Sequence, residues 1–165
     1  MRIAQAVFSL VPSHPLNWRA DWAWGLPLIV LTVVIHVLGL GLISRRALSL
    51  STRTDARRHP TAVFAVIMGL TTLLATALHA LETGIWGAAY VVLDALPNGR
   101  SAMLYSLDAM TSYGHTSLAL QDHWLLMGAI EALNGWLLFG LTTAFLFDMI
   151  QKVSALTGRD TASGL

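Results

Sequence analysis

Three stretches of this 165-residue chain carry almost no charge, and each is long enough to cross a bilayer. Ala23 to Ile43 holds 21 residues without a formal charge, rich in Leu, Ile and Val and interrupted by Pro27 and His36. Thr61 to Leu81 is a second uncharged run of 21, starting just after His59-Pro60, where the proline suits the first turn of a helix. Trp124 to Phe147 is a third run, of 24 residues, with Glu131 as its one ionisable group and Gly128, Gly135 and Gly140 as small residues. At 1.5 Å rise per residue, about 20 residues match a hydrocarbon core of about 30 Å. Composition agrees: 12% of residues are charged and the mean hydropathy is +0.63, against about 25% charged in soluble domains. A large soluble enzyme domain is excluded. With no cysteine in the chain, disulfide scaffolds, thiolate metal sites, iron–sulfur clusters and cysteine nucleophiles are excluded as well.

The cations set an orientation. Arg45, Arg46, Arg53, Arg57 and Arg58 crowd the connection between the first two runs, and Lys152 and Arg159 follow the third. Only Arg2, Arg19 and Arg100 fall on the other side. The positive-inside rule then places the basic loop and the C-terminus in the cytoplasm and the N-terminus outside, in a multi-pass protein of the cell (inner) membrane. Trp18, Trp22 and Trp24 read as an interfacial approach to the first span, because indoles favour the headgroup level. MRIAQAVFSLV has a short apolar run with no A-x-A site after it, and is read as retained. The expected organisation is an N-terminal interfacial segment 1–22, a first span and basic cytoplasmic loop 23–60, a membrane module 61–150 and a flexible tail 151–165.

Residues 82–123 are too apolar for an ordinary loop and too interrupted for a span. IWGAAYVVLDAL can prolong the second helix, Leu96-Pro97-Asn98-Gly99 is a turn signal, and a short helix is expected over 101–112 with Ser101 as N-cap and Leu104, Leu107 and Met110 at helical spacing. The run breaks at Tyr113-Gly114-His115. Non-helical backbone at membrane depth is tolerated only inside protein or along a water-filled cavity, so the expected fold class is an all-α membrane protein with three transmembrane helices plus a re-entrant pore helix and a filter-like loop. An extracellular hairpin packed on the surface is the other reading of the same pattern.

Tyr105 to Ser117, YSLDAMTSYGHTS, resembles a pore helix and filter of the form S-x-[ED]-x-x-T-T-V-G-Y-G-D, with Ser106, Asp108, Thr111 and Gly114 on matching positions. Gly135 to Phe145, GWLLFGLTTAF, is similar to the inner helix of the same potassium-channel superfamily pore module. HALETGIWGAAY, from His79, and LLMGAIEALNGWLLFG look like a bacterial three-span subgroup of ion-channel or two-pore-domain-like proteins. The resemblance covers 61–150 and implies an outer helix, a pore helix, a filter-like loop 112–117 and an inner helix 124–150. It also implies a homo-oligomer, a tetramer around a central axis, for passive transport of a monovalent cation such as K+. Ser112, Tyr113, Gly114, His115 and Thr116 would form the ion pathway, with Asp108, Thr111, Glu131 and Thr143 supporting it and Gly135 and Gly140 as gate-hinge and close-packing glycines. The sequence departs from the pattern where Thr116 replaces the second filter glycine, since a β-branched residue strongly disfavours positive φ, and where Ser117 replaces the aspartate. Potassium-like selectivity is expected to be altered.

Several side chains have two readings. His115 can place a ring of imidazoles at an outer mouth, binding metal or sensing pH, or can hydrogen-bond within its loop. Tyr113 can pack behind the filter. Glu131, an intramembrane carboxyl, is expected to make a structural buried hydrogen bond, with a pore-helix group as partner, rather than an ion site. Thr142 and Thr143 offer hydroxyls to a cavity or to helix packing. His79 and Glu82, at i and i+3, can form half a metal site or a local hydrogen bond anchoring the pore loop. His36 and His79 together raise the alternative of a haem or quinone subunit with axial histidines; counted from the ends of the uncharged runs, they differ in depth by roughly 15 Å, which argues against it. No metal, cofactor or nucleic-acid partner is expected beyond the permeant cation and the lipid bilayer. No acid/base pair, triad or phosphate loop supports an enzyme. A non-conducting protein that keeps the channel fold is the competing class.

Thr116→Gly should raise potassium conductance in reconstituted vesicles; no gain would mean that the second glycine is not what limits the filter.

Overall fold

The computed structural model describes residues 18–53, 59–114 and 117–156. Four helices account for most of them: α1 (Trp18–Arg53), α2 (Pro60–Val92), α3 (Gly99–Thr111) and α4 (Leu125–Leu156), with a 3-10 turn, Asp122–Trp124, leading into α4. No strand occurs among the described residues. Trp18–Ser51, Pro60–Val92 and Asp122–Leu156 are long and apolar enough to cross a membrane. Each long helix extends well past the uncharged run that announced it. The 33 residues of α2 amount to about 50 Å at 1.5 Å per residue, because its C-terminal third continues through Glu82 to Val92.

Local chemistry explains the ends. Pro60 opens α2, where a missing N–H costs nothing, and Val63 N donates to His59 O at 3.0 Å. α2 stops as Asp94 turns left-handed (φ 53°), and Ala95 N closes back on Tyr90 O at 2.9 Å, a Schellman-type end. The N-cap of α3 is Asn98, whose side-chain oxygen accepts from Ser101 N at 2.9 Å. Ser101, expected as the cap, instead lies inside the first turn. The amide side chain one residue before Gly99 reaches the free N–H first. α3 ends at Ser112 (φ 54°), with Tyr113 N donating to Asp108 O at 3.0 Å, and Gly114 follows at φ 69°.

α1 packs against both α2 and α4, and α3 is wedged between α2 and α4. Lipid tails are as apolar as leucine, so close backbone approach rather than hydrophobicity holds such helices together. Glycines mark the approaches. A Cβ on Gly25 would lie 2.8 Å from Ile130 Cγ2, and one on Gly39 would lie 2.7 Å from Leu78 Cδ2. Gly135 lets α4 touch the end of α3, where a Cβ would collide with the Met110 carbonyl. Two apolar clusters result. One surrounds α3 and includes Trp86, Tyr90, Met127 and Leu138; the other joins Ala47, Ile67, Met149 and Val153 at the opposite end.

Gly135→Ala should therefore destabilise the protein, since the obstacle is backbone that cannot swing away; overpacking of this kind costs about 1–3 kcal/mol. Gly140→Ala is the control, because nothing lies within 4 Å of its would-be Cβ in the single chain. Thermal unfolding in detergent should separate the two, and equal melting of both variants would contradict the close approach.

Candidate functional site

Two buried polar sets occupy the bundle. The first holds α3 in place. Glu131 on α4 is fully buried, and its Oε2 accepts from the Tyr90 hydroxyl at 2.7 Å. Its Oε1 meets the Ser106 hydroxyl of α3, which also reaches Thr83 O at 2.8 Å. Ser106 has one proton and faces two acceptors, so a proton on Glu131 completes the set: Glu131 donates to Ser106, Ser106 to Thr83 O and Tyr90 to Glu131. Thr83 hydroxyl in turn donates to His79 O at 2.9 Å and lies 3.4 Å from Met110 Sδ. Tyr105 stacks edge-on against Tyr90 at 5.4 Å between centroids.

The second set lies between the two apolar clusters, where α1, α2 and α4 meet. His36 Nδ1 lies 2.8 Å from Glu82 Oε1, and His36 Nε2 lies 3.0 Å from the Thr142 hydroxyl. His79 Nε2 lies 2.9 Å from the same hydroxyl, and its Nδ1 lies 3.5 Å from Glu82 Oε2. Four groups thus form a closed ring of contacts. With Glu82 ionised and both imidazoles neutral, His36 donates to Glu82, Thr142 donates to His36 and His79 donates to Thr142. Three contacts are then satisfied. The fourth sets the lone pair of His79 Nδ1 against Glu82 Oε2, an atom with no hydrogen-bond partner.

The sequence-based depths of His36 and His79 are corrected by this geometry. The two rings lie 5.0 Å apart between centroids, not 15 Å apart in depth. The error came from ending the helices where the uncharged runs end: α1 begins at Trp18 and α2 continues to Val92, which brings both residues near mid-helix. His36 is fully buried, with Glu82 and Thr142 as its partners.

Further polar contacts tie α1 to α4. Asp21 Oδ1 accepts from Met127 N, an orphan amide of the first turn of α4, at 3.1 Å. Asn134 Nδ2 donates to Thr32 Oγ1 at 2.8 Å. These partners, 102 and 106 positions apart in the chain, have no local signal; the polarity of Asn134 inside an apolar run was the available hint.

Thr111, Ser112, Tyr113 and Gly114 are exposed in the single chain, and Asp108 is half-buried. The Trp136 indole donates to Ser112 Oγ at 3.0 Å, tying α4 to the end of α3. Thr143 is exposed and donates to Phe139 O at 2.9 Å, whereas Thr142 is buried in the histidine set. Gly135 makes the close approach that the sequence reading gave to Gly140, and α4 runs unbroken through both. His115, Thr116, Arg2, Arg57, Arg58 and Arg159, with segments 1–17 and 157–165, lie outside the described residues. A cavity of about 470 Å³ is lined by Thr76, His79, Thr83, Met110, Thr111 and Trp136, among others.

No family model matches this sequence, and neither does any curated protein or solved structure. The fold itself defines an all-helical, multi-pass integral-membrane architecture with three apolar helices long enough to cross a membrane and one helix that is not.

Glu131→Ala leaves the buried Tyr90 hydroxyl without an acceptor, a loss of about 1–3 kcal/mol before any cavity is counted. Glu131→Gln, which still offers an oxygen, should cost less. Denaturant titration of the purified protein checks the order, and equal stability of wild type and Glu131→Ala would remove the carboxyl from its bracing role.

Proposed function

We propose that the chain is one subunit of a tetrameric pore of the potassium-channel superfamily type, passing monovalent cations such as K+ passively and with atypical selectivity. One observation carries the reading. α3 has 13 residues, about 20 Å at 1.5 Å each, too short to span; it sits between two helices that can, and its C-terminal end gives way to left-handed, non-helical backbone at Ser112 and Gly114. Such backbone beside membrane helices needs protein or a water-filled cavity around it. In this reading α3 is a re-entrant pore helix, Ser112 to Thr116 are the filter, and Asp108, Thr111 and the Glu131–Ser106–Tyr90 set hold it at a fixed depth. Gly135, against the Met110 carbonyl, is where a change in α4 would be felt by α3.

A single chain cannot enclose a pore. Thr111, Ser112 and Tyr113, with Trp136 and Phe139 of α4, are exposed in the single chain, and further copies would cover this face. The basic loop and the C-terminus face the cytoplasm in this arrangement. No voltage sensor is assigned, because no span carries spaced arginines, and no catalysis is assigned either.

Reconstitution into liposomes tests this directly, with potassium, sodium and proton flux read separately. Potassium and sodium flux within about an order of magnitude of each other is the outcome expected for a filter whose second glycine is replaced. Intact tetramers that pass no ion faster than empty vesicles would sink the channel reading in favour of a non-conducting protein with the same fold.

A further inference from the structure

The histidine set has a property that the pore reading does not use. With Glu82 ionised and both imidazoles neutral, its ring of four contacts holds three protons, and two acceptors, His79 Nδ1 and Glu82 Oε2, are left facing each other at 3.5 Å. Glu82 is fully buried and this oxygen has no hydrogen-bond partner. A buried carboxylate oxygen left in this way is costly unless a cation meets it.

We propose that His36, His79 and Glu82 form an intramembrane binding site for a zinc-class divalent cation. The proposal rests on one subunit alone and needs no pore. Among the described residues, one ligand atom from each of the three lies within 4.8 Å of the other two. A tetrahedral ion with bonds of about 2.0–2.1 Å holds its ligand atoms about 3.3 Å apart, so side-chain shifts below an ångström bring the three together. Two imidazoles and one carboxylate are the donor set of zinc sites that keep an open fourth position, and imidazole disfavours calcium and magnesium. Hydroxide in that fourth position would bring the net charge of ion and ligands to zero.

Thr142 supplies the outer support that metal-binding histidines require. When both imidazoles bind metal through Nδ1, the protons reside on both Nε2 atoms. The Thr142 hydroxyl, 2.9 and 3.0 Å from them, has two lone pairs to accept both. In the single chain the His79 side chain is 25% exposed and lines the 470 Å³ cavity beside α3, which gives an ion a way in before copies assemble, whereas His36 and Glu82 are closed off behind it. The ion would join α1 to α2 in the middle of the bundle.

The test uses full-length protein carrying a tag without histidine, stripped with chelator in micelles and titrated with Co2+ alone. Ligand-field bands of four-coordinate cobalt should saturate at one equivalent per chain and be displaced by Zn2+. They should vanish in His36→Gln and Glu82→Ala and persist when His14, His59, His115 and His123 are all changed to Gln. Thr142→Val keeps every ligand and should weaken binding about 10–100-fold, which covers the case in which a ligand variant fails to fold. Bands that survive His36→Gln and Glu82→Ala, or that disappear in the fourfold variant, would mean adventitious binding. Absence of cobalt binding to folded wild-type protein would mean that a proton closes the ring, and would overturn the proposal.

Discussion

The contact between Glu131 and Ser106 is the joint on which the arrangement of α3 depends. In water, a short amphipathic helix is held to its neighbours by removing apolar surface from solvent. Beside lipid, where the proposed re-entrant arrangement puts α3, that drive would disappear, since the tails are as apolar as the leucines they replace. Leu104 and Leu107 of α3 are exposed in the single chain, at 48% each. What remains is directional: a carboxyl from α4, a phenol from α2 and a hydroxyl from α3 meet where none can find water. Leaving any of them unpaired costs more than the pairing itself returns. The polar set and the close approach at Gly135 thus fix the same position and rotation of α3 against α2 and α4.

The same logic orders the bundle along its length. Apolar packing around Trp86, Tyr90 and Leu138 occupies one level and packing around Ile67, Met149 and Val153 another. The histidine set lies between them. Apolar layers can slide past one another at modest cost because one methyl resembles the next. A layer of hydrogen bonds cannot, so polar residues that look like defects in an apolar sequence are the ones that specify how the helices align.

Much of this could be read from the residues. Three helices, a short fourth one and a break at Tyr113-Gly114 follow from runs of uncharged residues and from turn chemistry, which are local properties. Glu131 was marked because a lone carboxyl in an apolar run must find a partner, and Ser106 because of its place in a pore-helix-like stretch. The alignment of the helices was not legible. His36 and Glu82 are 46 positions apart, and His36 and Thr142 are 106 apart; no periodicity encodes which pairs face each other. The depth of His36 and His79 was misjudged because hydropathy reports where charge begins, whereas a helix ends where its carbonyls find caps, here at Asp94 and Ala95 rather than at Glu82. Asn98 displaced Ser101 as a cap for a related reason, since two adjacent candidates differ only in which side chain reaches the free amide.

α1 is attached at three levels, through Asp21 to Met127, Thr32 to Asn134, and His36 to Glu82 and Thr142. A helix secured once can tilt to match the bilayer around it, which is how most spanning helices absorb hydrophobic mismatch. One secured three times cannot tilt on its own, because a change of tilt relative to α2 and α4 would lengthen at least one attachment. In a membrane thinner or thicker than the one the bundle fits, adjustment then falls to the bundle moving as one body and to the lipid around it, rather than to α1 alone.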